Sequence, residues 1–132
     1  MNFKKSITLV VLVLLLGSCS AGGPTEHIKV SMTDFTYNPN SFTVQAGKEI
    51  KLDIANNGAI VHNFLIMNAG SDIGQDFDQE DEKNVYWKID LGPGQSTTTS
   101  FTAPPEPGEY LIVCSTAGHY IAGMIGKLHV LP

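Results

Sequence analysis

The chain reads as an all-β protein, an antiparallel Greek-key β-sandwich of seven to eight strands with one short acidic flap or helix. Three observations carry that expectation. Apolar residues recur at every second position in short runs, the period of a strand with one buried face and one wet face. Turn-forming clusters separate the runs, among them Asn38-Pro39-Asn40, Asn56-Asn57-Gly58 and Gly92-Pro93-Gly94. Beyond the first twenty-five residues no long helical period interrupts them, and short strands at such spacing are the mark of a sandwich.

The elements follow in order. In "HIKVSM", Ile28, Val30 and Met32 alternate with His27, Lys29 and Ser31. "SFTVQAG" follows, and then "KEIKLDIAN", where Ile50, Leu52 and Ile54 alternate with Glu49, Lys51 and Asp53. "HNFLIM", "VYWKIDL", "TTTSFTA", "EYLIVC" and "GKLHVLP" complete the set, the threonine run having the weakest pattern. Between the fourth and fifth of these, residues 70–84 hold six acids against Lys83 alone. Ile73 and Phe77 stand four apart, so a short helix or flap pinned by that pair is expected there. Taken singly, the acids read as a solvated surface. His27 and His129 fall at outward positions of their strands and read as surface residues.

The start of the chain is different. Lys4 and Lys5 precede an apolar run over 7–16, and small residues follow it. That is the layout of a secretory signal peptide, and the run is too short for a spanning helix, which needs about twenty residues. Leu16-Gly17-Ser18-Cys19 resembles the lipobox of bacterial lipoproteins. The resemblance implies that residues 1–18 are removed and that Cys19 becomes the lipid-bearing first residue. Residues 19–25 then form a flexible tether and 26–132 the folded domain. The expected location is the bacterial cell envelope, lipid-anchored, on a periplasmic or extracytoplasmic face. Past residue 18 the chain has six lysines, no arginine and thirteen acids, a net charge of about −7. Such a surface does not suit nucleic acid, whose phosphates need cations. The remaining length can bury a core without disulfides, which leaves Cys114 as an unpaired thiol in an oxidising compartment.

A role for Cys114 comes from the stretch "CSTAGHYIAGM", in which Cys114, His119 and Met124 fall at equal steps of five. The stretch joins "EYLIVC" to "GKLHVLP", so it is a loop at one end of the sandwich on which three sulfur and nitrogen donors can converge. His62, opening "HNFLIM", offers a second imidazole. Two His, a thiolate and a weak axial Met are the blue-copper donor set. Thiolate and thioether are soft and hold Cu(I), while imidazole suits both oxidation states.

In these residues the chain resembles a cupredoxin, a small blue type 1 copper protein. The loop spacing is similar to that of the auracyanin and rusticyanin branch. "FTYNPNSFTVQAGKEIKLDIANN", "VHNFLI", "LGPGQSTTTSFTAPPEPGEYLIVC" and "GHYIAGMIGKLHV" follow in family order. The resemblance implies that His62, Cys114, His119 and Met124 ligate one copper ion, cycling between Cu(I) and Cu(II). It further implies that Asn63 braces the ligand loop by bonding to Ser115, and that an electron leaves through the His119 ring edge across an apolar patch. Tyr120 and Ile121 are expected to supply part of that patch. The acidic segment 70–84 has no clear family counterpart.

The expected activity is single-electron carriage rather than catalysis, since copper enzymes of this fold need further His-rich sites and only His27 and His129 remain. The expected partners are a redox donor and acceptor (a cytochrome or a membrane oxidoreductase) and the membrane through the N-terminal lipid, the protein itself being a monomer. The alternative is a periplasmic copper carrier without a redox role. A metal-free adhesion sandwich leaves an exported, unpaired Cys114 without a purpose.

Overall fold

A computed structural model describes residues 22–132. The expected signal peptide over 1–18, Cys19 and the first part of the 19–25 tether lie outside the described residues. Nine strands follow: β1 (His27–Thr33), β2 (Thr36–Asn38), β3 (Ser41–Gln45), β4 (Glu49–Asn56), β5 (His62–Met67), β6 (Val85–Leu91), β7 (Ser96–Thr102), β8 (Gly108–Val113) and β9 (Ile125–Leu131). They form a four-stranded sheet in the order β2-β1-β4-β7 and a five-stranded sheet in the order β3-β9-β8-β5-β6.

The sandwich is the one expected, with two differences. The extra strand is β2, three residues that fold back on β1 with Thr36 opposite Thr33. Three residues are too few to display a period. The sheets are also mixed rather than antiparallel, since β1 runs parallel to β4 and β3 parallel to β9. Alternation reports which face of a strand is buried but says nothing about its neighbour or its direction. Here the chain crosses to the second sheet with β3 and returns with β4 beside β1, and such a crossover makes the pair parallel.

The core lies between the sheets. Ile28, Val30 and Met32 of β1 and Ile50, Leu52 and Ile54 of β4 meet Phe64, Ile66, Leu128 and Val130 from the facing sheet. Tyr37 stands edge-on to Phe64 at a centroid separation of 5.4 Å, the favoured geometry for an aromatic pair. The threonine run became β7 at the edge of its sheet, and Phe101 is its one buried residue, which is why its pattern is weak.

All six residues of β5 are buried. Phe64 and Ile66 face the core, while Leu65 and Met67 face outward into a second cluster with Ile73 and Val113. The cover over that outer face is the acidic excursion. Ile73 is buried and Phe77 half-buried beside it, so this pair does pin a flap, but the helical part is a single 3-10 turn at Asp81–Asn84. The acids divide by type. Asp72, Asp78 and Asp81 accept the backbone N–H groups of Gly74, Glu80 and Asp78 and so hold the turns of the flap, while Asp76 accepts the N–H of Gly118 in the loop after β8. Glu80 and Glu82 are exposed and pair with Lys83 and Lys88.

Leu52 is fully buried at the centre of β4. Leu52→Ala is expected to lower unfolding stability by about 2–5 kcal/mol through lost burial and the cavity left behind. Urea denaturation should show the midpoint falling with an unchanged slope.

Candidate metal centre

Strand direction brings the donors together. β5 and β8 are antiparallel, with Leu65 opposite Val113 as the last paired residues at the end where β5 begins. Extending that register by two residues places Asn63 opposite Ser115, and there side chains take over from the ladder. The Asn63 amide donates to Ser115 Oγ at 2.8 Å, and the Ser115 N–H donates to Asn63 Oδ1 at 2.7 Å. His62 and Cys114 flank this pair on their two chains. Thr116 adds a further link by donating to the Val61 carbonyl at 3.2 Å.

The loop then turns back twice. Gly118 and Gly123 have φ of +82° and +94°, left-handed values that favour glycine. The His119 N–H donates to the Thr116 carbonyl and the Met124 N–H to the His119 carbonyl, each at 3.0 Å. His119 and Met124 are thereby folded back over Cys114. The two glycines of the "CSTAGHYIAGM" stretch make that compact loop possible.

His62, Cys114 and His119 are all buried, and their donor atoms lie within 4.8 Å of one another. His62 Nδ1 is 3.2 Å from His119 Nδ1, which is 3.4 Å from Cys114 Sγ. N and S donors bind a first-row ion at ~2.0–2.3 Å, so such separations suit the edges of a triangle around one ion. Met124 is fully buried, and the four residues are positioned as a type 1 copper site. The donor set fits the metal: two imidazoles and a thiolate with a thioether to one side. Cys114 is a free cysteine. Burial pushes the His119 pKa down, with the nearby His62 ring as a smaller cause. The neutral ring is thus favoured, and only that form can donate a lone pair to a metal.

Several residues around the centre escaped sequence reading. Asp34 Oδ1 lies 2.6 Å from His62 Nε2, and the Ala59 N–H donates to the same carboxylate. Those contacts, the Ala59 bond first and the His62 bond second, hold Asp34 below the usual carboxylate range. Phe35 stands edge-on to the His119 ring at 4.7 Å. The Tyr37 hydroxyl donates to the Asn63 carbonyl at 2.7 Å. Asn56, fully buried, donates to the Ile60 and Leu91 carbonyls and accepts the Gly58 N–H, which fixes the turn leading into His62. The only signal for any of these was the turn cluster at Asn56-Asn57-Gly58; Asp34 and its neighbours reach His62 across more than twenty residues of chain.

The expected apolar surface is rearranged. Among the described residues Ile121 is the most exposed large apolar side chain at 69%, and Phe35, Ile60 and Val61 from the neighbouring loops are also exposed. Tyr120 turns the other way and is half-buried against the cluster under the flap. His119 itself is only 4% exposed. His27 is on the surface, bonded to Asp53, and His129 is half-exposed beside Glu109, both away from the donors.

A two-sheet sandwich with a buried His, Cys, His and Met set at one end defines a blue copper protein. Residues 24–131 match the model of the copper binding proteins of the plastocyanin/azurin family, and the chain belongs to that family. Among its relatives, Auracyanin-B of Chloroflexus aurantiacus is 27% identical over 82% of this chain and 52% of its own length, so the chain spans about half of that protein. Auracyanin-A of the same organism is 27% identical over 92% of both chains. The crystal structure of dithionite-reduced auracyanin from Roseiflexus castenholzii superposes with a TM-score of 0.71 at 32% identity, covering 83% of this chain and all of that one.

The copper–thiolate bond is the source of the intense colour of such a centre. Cys114→Ser is therefore expected to abolish the strong visible band of Cu(II)-loaded protein while the sandwich remains folded. Absorption spectra of wild type and variant at equal copper content check this, and an intense band retained in the variant would place the thiolate elsewhere.

Proposed function

We propose that the protein carries single electrons through one type 1 copper ion, as a lipoprotein anchored through Cys19 on the outer side of a bacterial membrane. The observation that carries the electron-carrier reading is the convergence of buried donors within a frame of hydrogen bonds from the neighbouring strands and loops. Bound copper would supply a one-electron couple, Cu(I)/Cu(II). The chain's part is to hold His62, Cys114, His119 and Met124 in one arrangement and to keep water away from them. Asn63 and Ser115 restrain the two chain segments, and Phe35 covers the His119 ring. A carrier that delivers copper needs to release its ion, whereas a frame bonded on this many sides favours retention. Repeated reduction and reoxidation of the blue protein without loss of copper tests the distinction.

Docking follows from the surface. Phe35, Ile60, Val61 and Ile121 form an apolar rim beside the buried His119, suited to close contact with a redox partner such as a cytochrome. The flap lies next to this rim, joined to the ligand loop by the Gly118 N–H bond to Asp76 at 2.8 Å. Its six acids, of which only Glu80 and Glu82 face a lysine, leave the flap with a net negative potential that steers a basic partner.

Exposed charges are screened over ~10 Å at 0.1 M salt. Replacing Glu80 and Glu82 with Gln should slow electron transfer to a cationic cytochrome at low salt and change little at high salt. Ile121→Asp should slow it at every ionic strength, because it places a charge inside the contact. Stopped-flow rates across a salt series separate the two effects.

Several acyl chains hold a lipoprotein firmly where a single chain does not. Cys19→Ser is expected to block acylation and normal processing, seen as a changed mass and loss of the mature membrane-bound form in cell fractions. Unchanged mass and attachment would remove Cys19 as the anchor.

A further inference from the structure

The link between β1 and β2 brings a carboxylate onto the far edge of a metal-binding ring. Asp34 Oδ1 lies 2.6 Å from His62 Nε2, the nitrogen on the side of the ring away from Nδ1. The His62 side chain is fully buried while that of Asp34 is 34% exposed, so the carboxylate sits at the boundary between the ligand and water. An ionised carboxylate can only accept, so the proton of this bond belongs to Nε2. In the neutral ring the lone pair is then on Nδ1, the atom that faces His119 Nδ1 at 3.2 Å.

Two further observations show that the fold is shaped around this contact. A Cβ on Gly58 would fall 2.6 Å from His62 Nε2 and closer still to Asp34 Oδ1, so a larger residue there would force the pair apart. The Gly58 turn is itself held by the buried Asn56, and the next residue, Ala59, donates its N–H to Asp34 at 3.1 Å. Phe35 meets both histidine rings edge-on, with centroids 6.5 Å from His62 and 4.7 Å from His119. One short segment thus orients one ligand and covers the other.

We infer that Asp34 is a positioning and tuning residue, whose carboxylate holds His62 as the Nε2–H tautomer and lowers the reduction potential of the copper centre. The inference rests on the copper reading above. A carboxylate bonded to the outer nitrogen of a ligating imidazole fixes ring orientation and makes the inner nitrogen a stronger donor. Added negative charge near the ion favours Cu(II) over Cu(I). Partial exposure of Asp34 weakens the Coulomb part, since water screens it.

Asp34→Asn preserves shape and leaves an oxygen that can accept from Nε2–H, while removing the charge. Its expected effect is a fall of about tenfold in the preference for Cu(II) over Cu(I), which is a rise of about 59 mV in potential, with the blue colour retained. Asp34→Ala, which also removes the acceptor, should raise the potential at least as far. The tautomer is read without any variant and without copper: nitrogen-15 NMR of the copper-free protein should show His62 protonated at Nε2. A blue wild type and a blue Asp34→Asn protein at one potential would overturn the inference, as would a copper-free wild type with the His62 proton on Nδ1. The two readings fail separately, because a colourless Cu(II)-loaded wild type counts against the copper assignment alone.

Discussion

The two hydrogen bonds between Asn63 and Ser115 are the constraint on which the site depends. The ladder between β5 and β8 ends at Leu65 and Val113, yet the donors lie beyond it, at His62 on one strand and Cys114 on the other. Without a further tie, two chain ends leaving a sheet diverge. The amide of Asn63 replaces the missing ladder by both donating to and accepting from Ser115, and it donates to Asp90 as well. Tyr37 holds the Asn63 carbonyl from the opposite sheet. Asn63 and Tyr37 are buried and Ser115 is partly so, and a buried polar group left unpaired is costly, so their network is either complete or strongly destabilised.

The remainder of the architecture supports that tie. The antiparallel pairing of β8 with both β5 and β9 puts the start of β5, the end of β8 and the start of β9 at one end of the sandwich, so a single loop can carry three donors while the strand beside it carries the fourth. Two left-handed glycines let the loop close within eleven residues. The flap holds the loop from outside through Asp76, and the segment with Asp34 and Phe35 holds it from the solvent end. A site clamped from several sides and dry inside can accept a change of charge with little movement of its ligands, which is what electron exchange through one metal ion requires.

The same elements explain why the acidic excursion is not merely a decorated surface. Its aspartates are consumed in holding its own turns and the Gly118 amide, and its apolar residues cover the outer face of β5. Glu80 and Glu82 face Lys83 and Lys88, and the net negative charge of the flap acts at long range. Composition alone shows six acids, whereas their hydrogen bonds assign them different tasks.

The strands with one wet face were legible in the sequence because alternation directly records burial on one side, as in β1 and β4. The donor set was legible because Cys114, His119 and Met124 lie on one loop, and because residue types with this chemistry rarely recur in that order between two strands. Strand direction, the short β2 and the double burial of β5 were not, since each depends on which neighbour a strand meets. Apart from the Asn63–Ser115 link, which the family resemblance implied, the surroundings of the site were settled by tertiary structure. Asp34 touches His62 across twenty-eight residues, Tyr37 touches Asn63 across twenty-six, and Tyr120 is half-buried against the cluster under the flap. Local sequence carries the chemistry of each donor and the period of each strand; contacts between distant segments exist only once the sheets have stacked, and they decide how the donors are oriented, shielded and tuned.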